Sequence, residues 1–158
     1  MDDIQPLRDE ARRTALKTIL VGVDGSETAE KAAAKAAQLA AQSGASLHVV
    51  TAFGNVRAES ALARDADEWR SQAAQTAEAI AAESAETLRA HVPGVRISSG
   101  AAHGKPHIVL ISEASRINAD LIVVGNRRMQ GVQRVLGSIA SAVAHRAPCD
   151  VYIAHTVS

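Results

Sequence analysis

The sequence predicts an α/β protein: a mostly parallel sheet with helices on both faces. Three observations lead there. Short apolar, largely β-branched runs alternate with alanine-rich stretches of helical period. Gly, Pro, Asp or Ser punctuates the junctions between them. The run Leu121-Ile122-Val123-Val124 stops at Gly125 and feeds a glycine-bearing loop with a helix start just beyond it. Open α/β sheets cradle phosphates with that arrangement, because glycines admit a close backbone and helix N-termini attract negative charge.

Residues 1–16 are polar, mixed in charge and hold Pro6. They read as a flexible N-terminal arm with room for a helical turn across 7–15, ahead of a single domain over 17–158. Residues 18–23 are largely β-branched and apolar, which suits a strand covered on both faces. Asp24-Gly25 turns the chain, Ser26 caps the next helix, and Glu27 and Glu30 sit where the helix dipole favours acids. That helix runs over 27–42 with Ala33, Ala36, Ala37, Leu39 and Ala40 mostly along one face, and Ser43-Gly44 closes it.

Residues 47–53 form the second strand, broken at Gly54-Asn55. A long helix over 58–91 carries Leu62, Ala66, Trp69, Ala73, Ala77 and Ile80 at three- and four-residue steps. Ser84 interrupts that stripe, Leu88 resumes it, and Pro93-Gly94 ends the helix. A short alternating strand occupies 95–100. Residues 104–117 make a helix with Ile108, Ile111 and Ala114 toward the core. The strand at 119–124, the glycine loop, a short helix over 138–145, the break at Pro148 and a strand over 150–155 complete the chain. Ligands in such sheets lie at the carboxyl ends of the strands, where strand order reverses. The turns after Val23 and after Val124 are therefore expected side by side.

At 158 residues the chain is one domain by length. It is 47% hydrophobic, yet Phe53, Trp69 and Tyr152 are its only aromatic residues, so Val, Ile, Leu and Ala must build the core. Lys plus Arg number 17 and Asp plus Glu 17, which leaves no overall field favouring nucleic acid or a membrane surface. Arg127, Arg128 and Arg134 still form a local basic cluster. Cys149 is the single cysteine, so no internal disulfide is possible. The first six residues lack the basic start and apolar stretch of a signal peptide, and no apolar run approaches the roughly 20 residues that span a bilayer. These features predict a cytoplasmic protein.

Four pieces, in order, carry a resemblance: Val23-Asp24-Gly25-Ser26, Gly104-Lys105-Pro106, the run from Ala119 to Gly125, and Ala147-Pro148-Cys149-Asp150-Val151. Together they make the chain similar, over 17–157, to the universal stress protein family, in the class that binds adenine nucleotides. The resemblance implies a three-layer, Rossmann-like α/β/α sandwich of the adenine nucleotide alpha hydrolase type. Its five-stranded parallel sheet would have the order 3-2-1-4-5, and a homodimer would form through the last strand (Val151, Tyr152, Ile153). It further implies a regulatory role in stress response, with ATP, AMP or cyclic AMP as ligand, Mg²⁺ through the phosphates, and an unidentified partner protein. By position, Val23, Asp24, Val50 and Ala52 would enclose adenine and ribose, while Gly125, Gly137, Ser138 and Ile139 would hold phosphates.

The family's loop reads Gly, two residues, Gly, nine residues, Gly, then Ser or Thr. Here Arg128 replaces the second glycine, and one residue fewer separates Gly125 from Gly137. Gly131 supplies flexibility from a shifted place. Arg128, with Arg127, either forks onto phosphate oxygens or fills the space they would take. The loop could also be no more than a tight turn and a helix cap, Asp24 only a turn residue, and the two arginines solvated surface charges.

Other motifs fail on their spacing. His103 and His107 are four apart with Pro106 between and no Glu after His103, so no metal is expected. Gly104-Lys105 is not a P-loop, because Ser99 stands where its first Gly should be. Cys149 reads as a structural thiol, Trp69 as core or dimer cover, and Tyr152 as packing. No nucleophile is paired in sequence with an activating base, so catalysis is not expected beyond slow ATP turnover. The alternatives to a nucleotide-binding regulator are a nucleotide-free dimeric interaction module and a weak ATPase.

Overall fold

The computed structural model describes residues 4–54, 63–126 and 136–156. Five parallel strands form one sheet: β1 (Thr18–Gly22), β2 (Ser46–Phe53), β3 (Ile97–His103), β4 (Leu121–Gly125) and β5 (Asp150–Ala154). Their order is β3-β2-β1-β4-β5, as the resemblance implies. The order reverses between β1 and β4, which places the turns after Val23 and Val124 next to each other. Asp120 sets the register at the other end of these strands, its Oδ2 accepting the N–H groups of Lys17 and Thr18 at 2.9 Å each.

The connecting helices are α2 (Glu27–Ser43), α3 (Ala63–His91), α4 (Pro106–Ile117) and α5 (Ser138–Arg146). The N-terminal arm adds α1 (Gln5–Arg13), a nine-residue helix where a single turn is expected, started by Pro6 and with none of its side chains buried. Ser26 caps α2 as expected, its Oγ accepting the Ala29 N–H at 3.3 Å. Gly44 closes the same helix at φ +74°, where a side chain would strain the backbone.

Two apolar layers sandwich the sheet. On one face Ile19, Val21, Leu47, Val49 and Val123 meet Ala32, Ala33, Ala36, Ala37 and Ala40 of α2 and Ala81, Ala85 and Leu88 of α3. On the other, Leu20, Val50, Ile122 and Val124 meet Val109, Leu110 and Ala114 of α4 and Ala140 and Val143 of α5.

Four details depart from the sequence-based expectations. β3 lies at 97–103 rather than 95–100, because its pairing with β2 continues through Gly100 to Phe53 opposite His103. α4 turns Val109 and Leu110 inward and leaves Ile108 49% exposed, rotating the expected face while Ala114 keeps its expected place in the core. Its apolar run Ile108-Val109-Leu110-Ile111 admits both phases, and Leu110 with Ala114 and Ile117 is the stripe the sheet takes. Ser84 lies buried within the α3 stripe, its hydroxyl donating to Glu30 of α2 at 3.0 Å. Trp69, expected as core or dimer cover, stands 40% exposed, which removes it from the core. Residues 58–62 of the expected long helix, Leu62 included, fall outside the described residues.

Candidate functional site

β1 delivers the first wall of the site. Its last residue, Gly22, has no side chain, and a Cβ there would meet Leu110 Cδ2 at 3.1 Å, so the glycine lets α4 close on the strand. The Val23 N–H donates to the Val50 carbonyl at 2.9 Å, locking the turn to the neighbouring strand. Asp24 Oδ1 then accepts the Ser26 N–H at 2.9 Å, and Gly25 completes the turn at φ +82°. Both polar side chains therefore shape the start of α2.

β4 delivers the second wall. A Cβ on Gly125 would lie 3.2 Å from Thr156 Cγ2 and 3.3 Å from its Oγ1, so this position tolerates little beyond glycine. Asn126 fastens the chain directly after it. Its Oδ1 accepts the Thr156 N–H at 2.7 Å and the Thr156 hydroxyl at 3.1 Å, and its own N–H donates to the Ala154 carbonyl at 3.0 Å. The chain is thus anchored to the end of β5 where the loop begins. The loop's expected contributors Arg127, Arg128 and Gly131 lie outside the described residues. The chain is described again at Leu136, and Gly137 takes the N-cap of α5 with extended torsions of φ −57° and ψ 153°. The first N–H groups of α5 have no partner within their own helix.

These walls enclose a cleft of about 170 Å³ at the carboxyl ends of the strands, on the α4/α5 face. Val23, Asp24, Val50, Ala52, Gly125, Gly137, Ser138 and Ile139 all line it. The sequence therefore nominates eight residues that the fold brings together. It misses Gly22, Ser26, Thr28, Ala29, Pro106, Val109, Leu110, Val124 and Ala140 among the lining residues. Val109 and Leu110 were legible only by choosing the other phase of α4.

The cleft is mainly apolar, and no described Lys or Arg lines it. Positive potential comes instead from helix starts, since Ser26, Pro106 and Ser138 at the first turns of α2, α4 and α5 all border it. A second, more open cleft of about 400 Å³ beside α3 shares Asp24 and Ala52 with the first and is lined by Trp69, Gln72 and Thr76. The Thr51 hydroxyl, buried next to it, has no hydrogen-bond partner among the described residues.

Among the described residues no group of three or more His, Cys, Asp and Glu is placed to hold a metal. Cys149 is half-buried, and burial with the nearby Asp150 and Asp120 carboxylates pushes its thiol up, away from the reactive thiolate. No described helix is long and apolar enough to cross a membrane.

A doubly wound parallel sheet with an apolar cleft at its strand reversal, ringed by helix N-termini, defines a ligand-binding α/β protein of the nucleotide-site type. The chain belongs to the universal stress protein family, whose sequence model matches residues 15–155. Universal stress protein Rv1636 of Mycobacterium tuberculosis is 32% identical over 145 residues, spanning 90% of this chain and 99% of that protein. Universal stress protein A homolog 1 of Coxiella burnetii is 31% identical over 138 residues, 85% of this chain and 93% of its own. A universal stress protein crystallised in complex with cAMP superposes with a TM-score of 0.70 at 34% identity, covering 90% of this chain and 99% of that one.

Proposed function

We propose that the protein binds an adenine nucleotide in this cleft and acts in the cytoplasm as a regulatory module of a stress response. The observation that carries the reading is the convergence of Val23, Asp24, Val50 and Ala52 with Gly125, Gly137, Ser138 and Ile139 on one cleft. The apolar walls suit a purine ring, and Asp24 at the rim suits the hydroxyl and amino donors of a nucleoside. Gly137 and the α5 N-terminus suit phosphate, with Arg127, Arg128 and Gly131 following Gly125 closely enough in sequence to join them. A relative 34% identical to this chain was solved with cAMP bound, which supports a cyclic or simple monophosphate beside ATP as ligand. Mg²⁺ would enter only through a polyphosphate.

A homodimer belongs to the same reading. β5 is an outer strand, with Tyr152 38% and Ile153 39% exposed along it, and a second copy would cover them together with Val151. The nucleotide state would then alter the dimer's contact with a partner protein.

Calorimetric titration of nucleotide-stripped protein with Mg-ATP and, separately, with cyclic AMP tests the proposal. Saturable heat accompanied by a raised melting temperature supports it, and the tighter ligand identifies the phosphate arrangement the loop accepts. No heat and no thermal shift with either would leave a ligand-free dimeric module. Asp24→Ala should weaken nucleosides and nucleotides alike, whereas Arg128→Ala should matter only where phosphates are present. Equal effects from both would contradict this division of roles.

A further inference from the structure

Away from the cleft, the α4 face of the sheet carries one polar cluster. His48 on β2 and Ser98 on β3 are register partners, and His48 Nδ1 lies 2.8 Å from Ser98 Oγ. The other ring nitrogen, Nε2, faces Glu113 Oε2 of α4 at 3.7 Å. Arg116 grips that carboxylate with both arms, Nε donating to Oε1 at 3.0 Å and Nη2 to Oε2 at 2.7 Å. The side chains of His48 and Glu113 are each 14% exposed, whereas Ser98 is open to solvent on the outer strand.

The protonation states follow from this geometry. The bond from Arg116 lowers the Glu113 pKa and keeps it an anion. Burial holds the His48 pKa below its usual range, opposed by Glu113 and aided by Arg116, so the ring is neutral at neutral pH. An anion facing Nε2 favours the tautomer with its proton there, which leaves the Nδ1 lone pair to accept the Ser98 hydroxyl. A hydroxyl set on an imidazole lone pair is the pairing that activates a serine, and Glu113, at 3.7 Å from Nε2, acts on the far nitrogen through its charge rather than through a hydrogen bond. Gly100, the next residue of β3 on this face, puts no side chain beside the ring.

We propose that Ser98 is a nucleophile, with His48 as its base and Glu113 as a positioning residue, that accepts the acyl group of an activated ester. Ser98 Oγ bonds to the carbonyl carbon while its proton passes to His48 Nδ1. The bond from that carbon to the leaving oxygen breaks, and the leaving group departs with the electron pair and takes the proton from Nδ1. The products are acyl-Ser98 and the free alcohol. This site does not depend on the nucleotide cleft.

Ser99 provides an internal control. It is exposed on the same strand, but its side chain alternates to the opposite face and its register partner is Val49. The full chain would be treated with p-nitrophenyl acetate and acetylation mapped by peptide mass spectrometry. Ser98 should be acetylated about 100-fold faster than Ser99 or more, within the range a positioned general base supplies. Ser98→Ala should abolish that modification, His48→Gln should bring Ser98 down to the Ser99 rate, and Glu113→Gln should slow it less. In the unsubstituted protein the Ser98 rate should also fall in acid as the imidazole gains its proton. A merely structural hydrogen bond would not separate the two serines. Equal acetylation of Ser98 and Ser99 would overturn the proposal, and so would a Ser98 rate unmoved by His48→Gln. Where His48→Gln fails to fold, the ratio of the two serines and its loss in acid decide the matter alone.

Discussion

The two faces of the sheet are built from the same few apolar residue types and end up doing different work. On the α2/α3 face seven alanines lie against Ile19, Val21, Val49 and Val123. Small side chains let those helices approach closely over the middle of the sheet, and only toward the strand ends does α3 leave a more open cleft under Trp69 and Ile80. On the α4/α5 face, Val109, Leu110 and Val143 hold larger side chains against Leu20, Ile122 and Val124. The approach of α4 depends on Gly22, and beyond it the helices stand apart at the strand ends to leave the cleft. The His48–Ser98–Glu113 cluster lies on this same face. The more enclosed cleft and this polar cluster thus share one face.

The largest effect should come from filling the cleft. Gly137→Val places a branched side chain where a phosphate would lie, and calorimetry should find nucleotide binding abolished. The torsions of Gly137, φ −57° and ψ 153°, are ones valine adopts readily, so the melting temperature should hardly change. Retained affinity would break the assignment of this face. Next is the alanine layer itself. Ala36, fully buried in α2, has no room to grow, and Ala36→Leu should destabilise the fold by about 1–3 kcal/mol in urea titration. A neutral result would show that the alanine layer is not closely packed.

Adjacent residues of β2 give a finer version of the contrast. Val49 is fully buried against the α2/α3 layer, while Val50 is buried but borders the cleft. One added methylene should cost about 1 kcal/mol or more in Val49→Ile, by overpacking. Val50→Ile should cost less stability and should instead weaken the ligand. Equal stability losses would mean that both faces are packed alike.

Much of this was readable in the sequence, for identifiable reasons. Buried parallel strands are short β-branched runs, and those ending at Val23 and Val124 declare their carboxyl ends with Asp24-Gly25 and Gly125. Asp24, Gly125, Gly137 and Ser138 stood out on that basis, whereas Val23, Val50, Ala52 and Ile139 were reached only through the family resemblance. Leu110 was not, because four consecutive apolar residues leave the phase of α4 undecided until a sheet selects it. The extension of β3 past Gly100 escaped because glycine reads locally as a strand end, whereas here it makes room beside His48. The Asn126–Thr156 clamp and the Ser98–His48 pair join residues far apart in sequence, and no spacing rule announces them. Local pattern specified the elements, and tertiary register specified the polar partnerships.

The smallest effect concerns acidity, and it too divides the faces. His48 on β2 faces Ser98 of β3 and Glu113 and Arg116 of α4. Its folded pKa is lowered, by burial first, from the 6.5 of a free histidine. As pH falls below about 6.5 the unfolded chain takes up a proton that the folded protein resists. His48 therefore contributes stability that is complete above that value and declines until the folded pKa is passed. Glu113 is lowered as well, from 4.5, so its contribution has the same sign but is lost at lower pH. Urea midpoints at pH about 7.5 and about 5.5 should consequently fall in acid, and His48→Gln should remove part of that fall. The Ala36→Leu variant, altered only on the opposite face, should keep the full acid loss beneath its lower baseline. If Ala36→Leu removed the acid dependence as well, the two faces would be coupled and the contrast between them would fail.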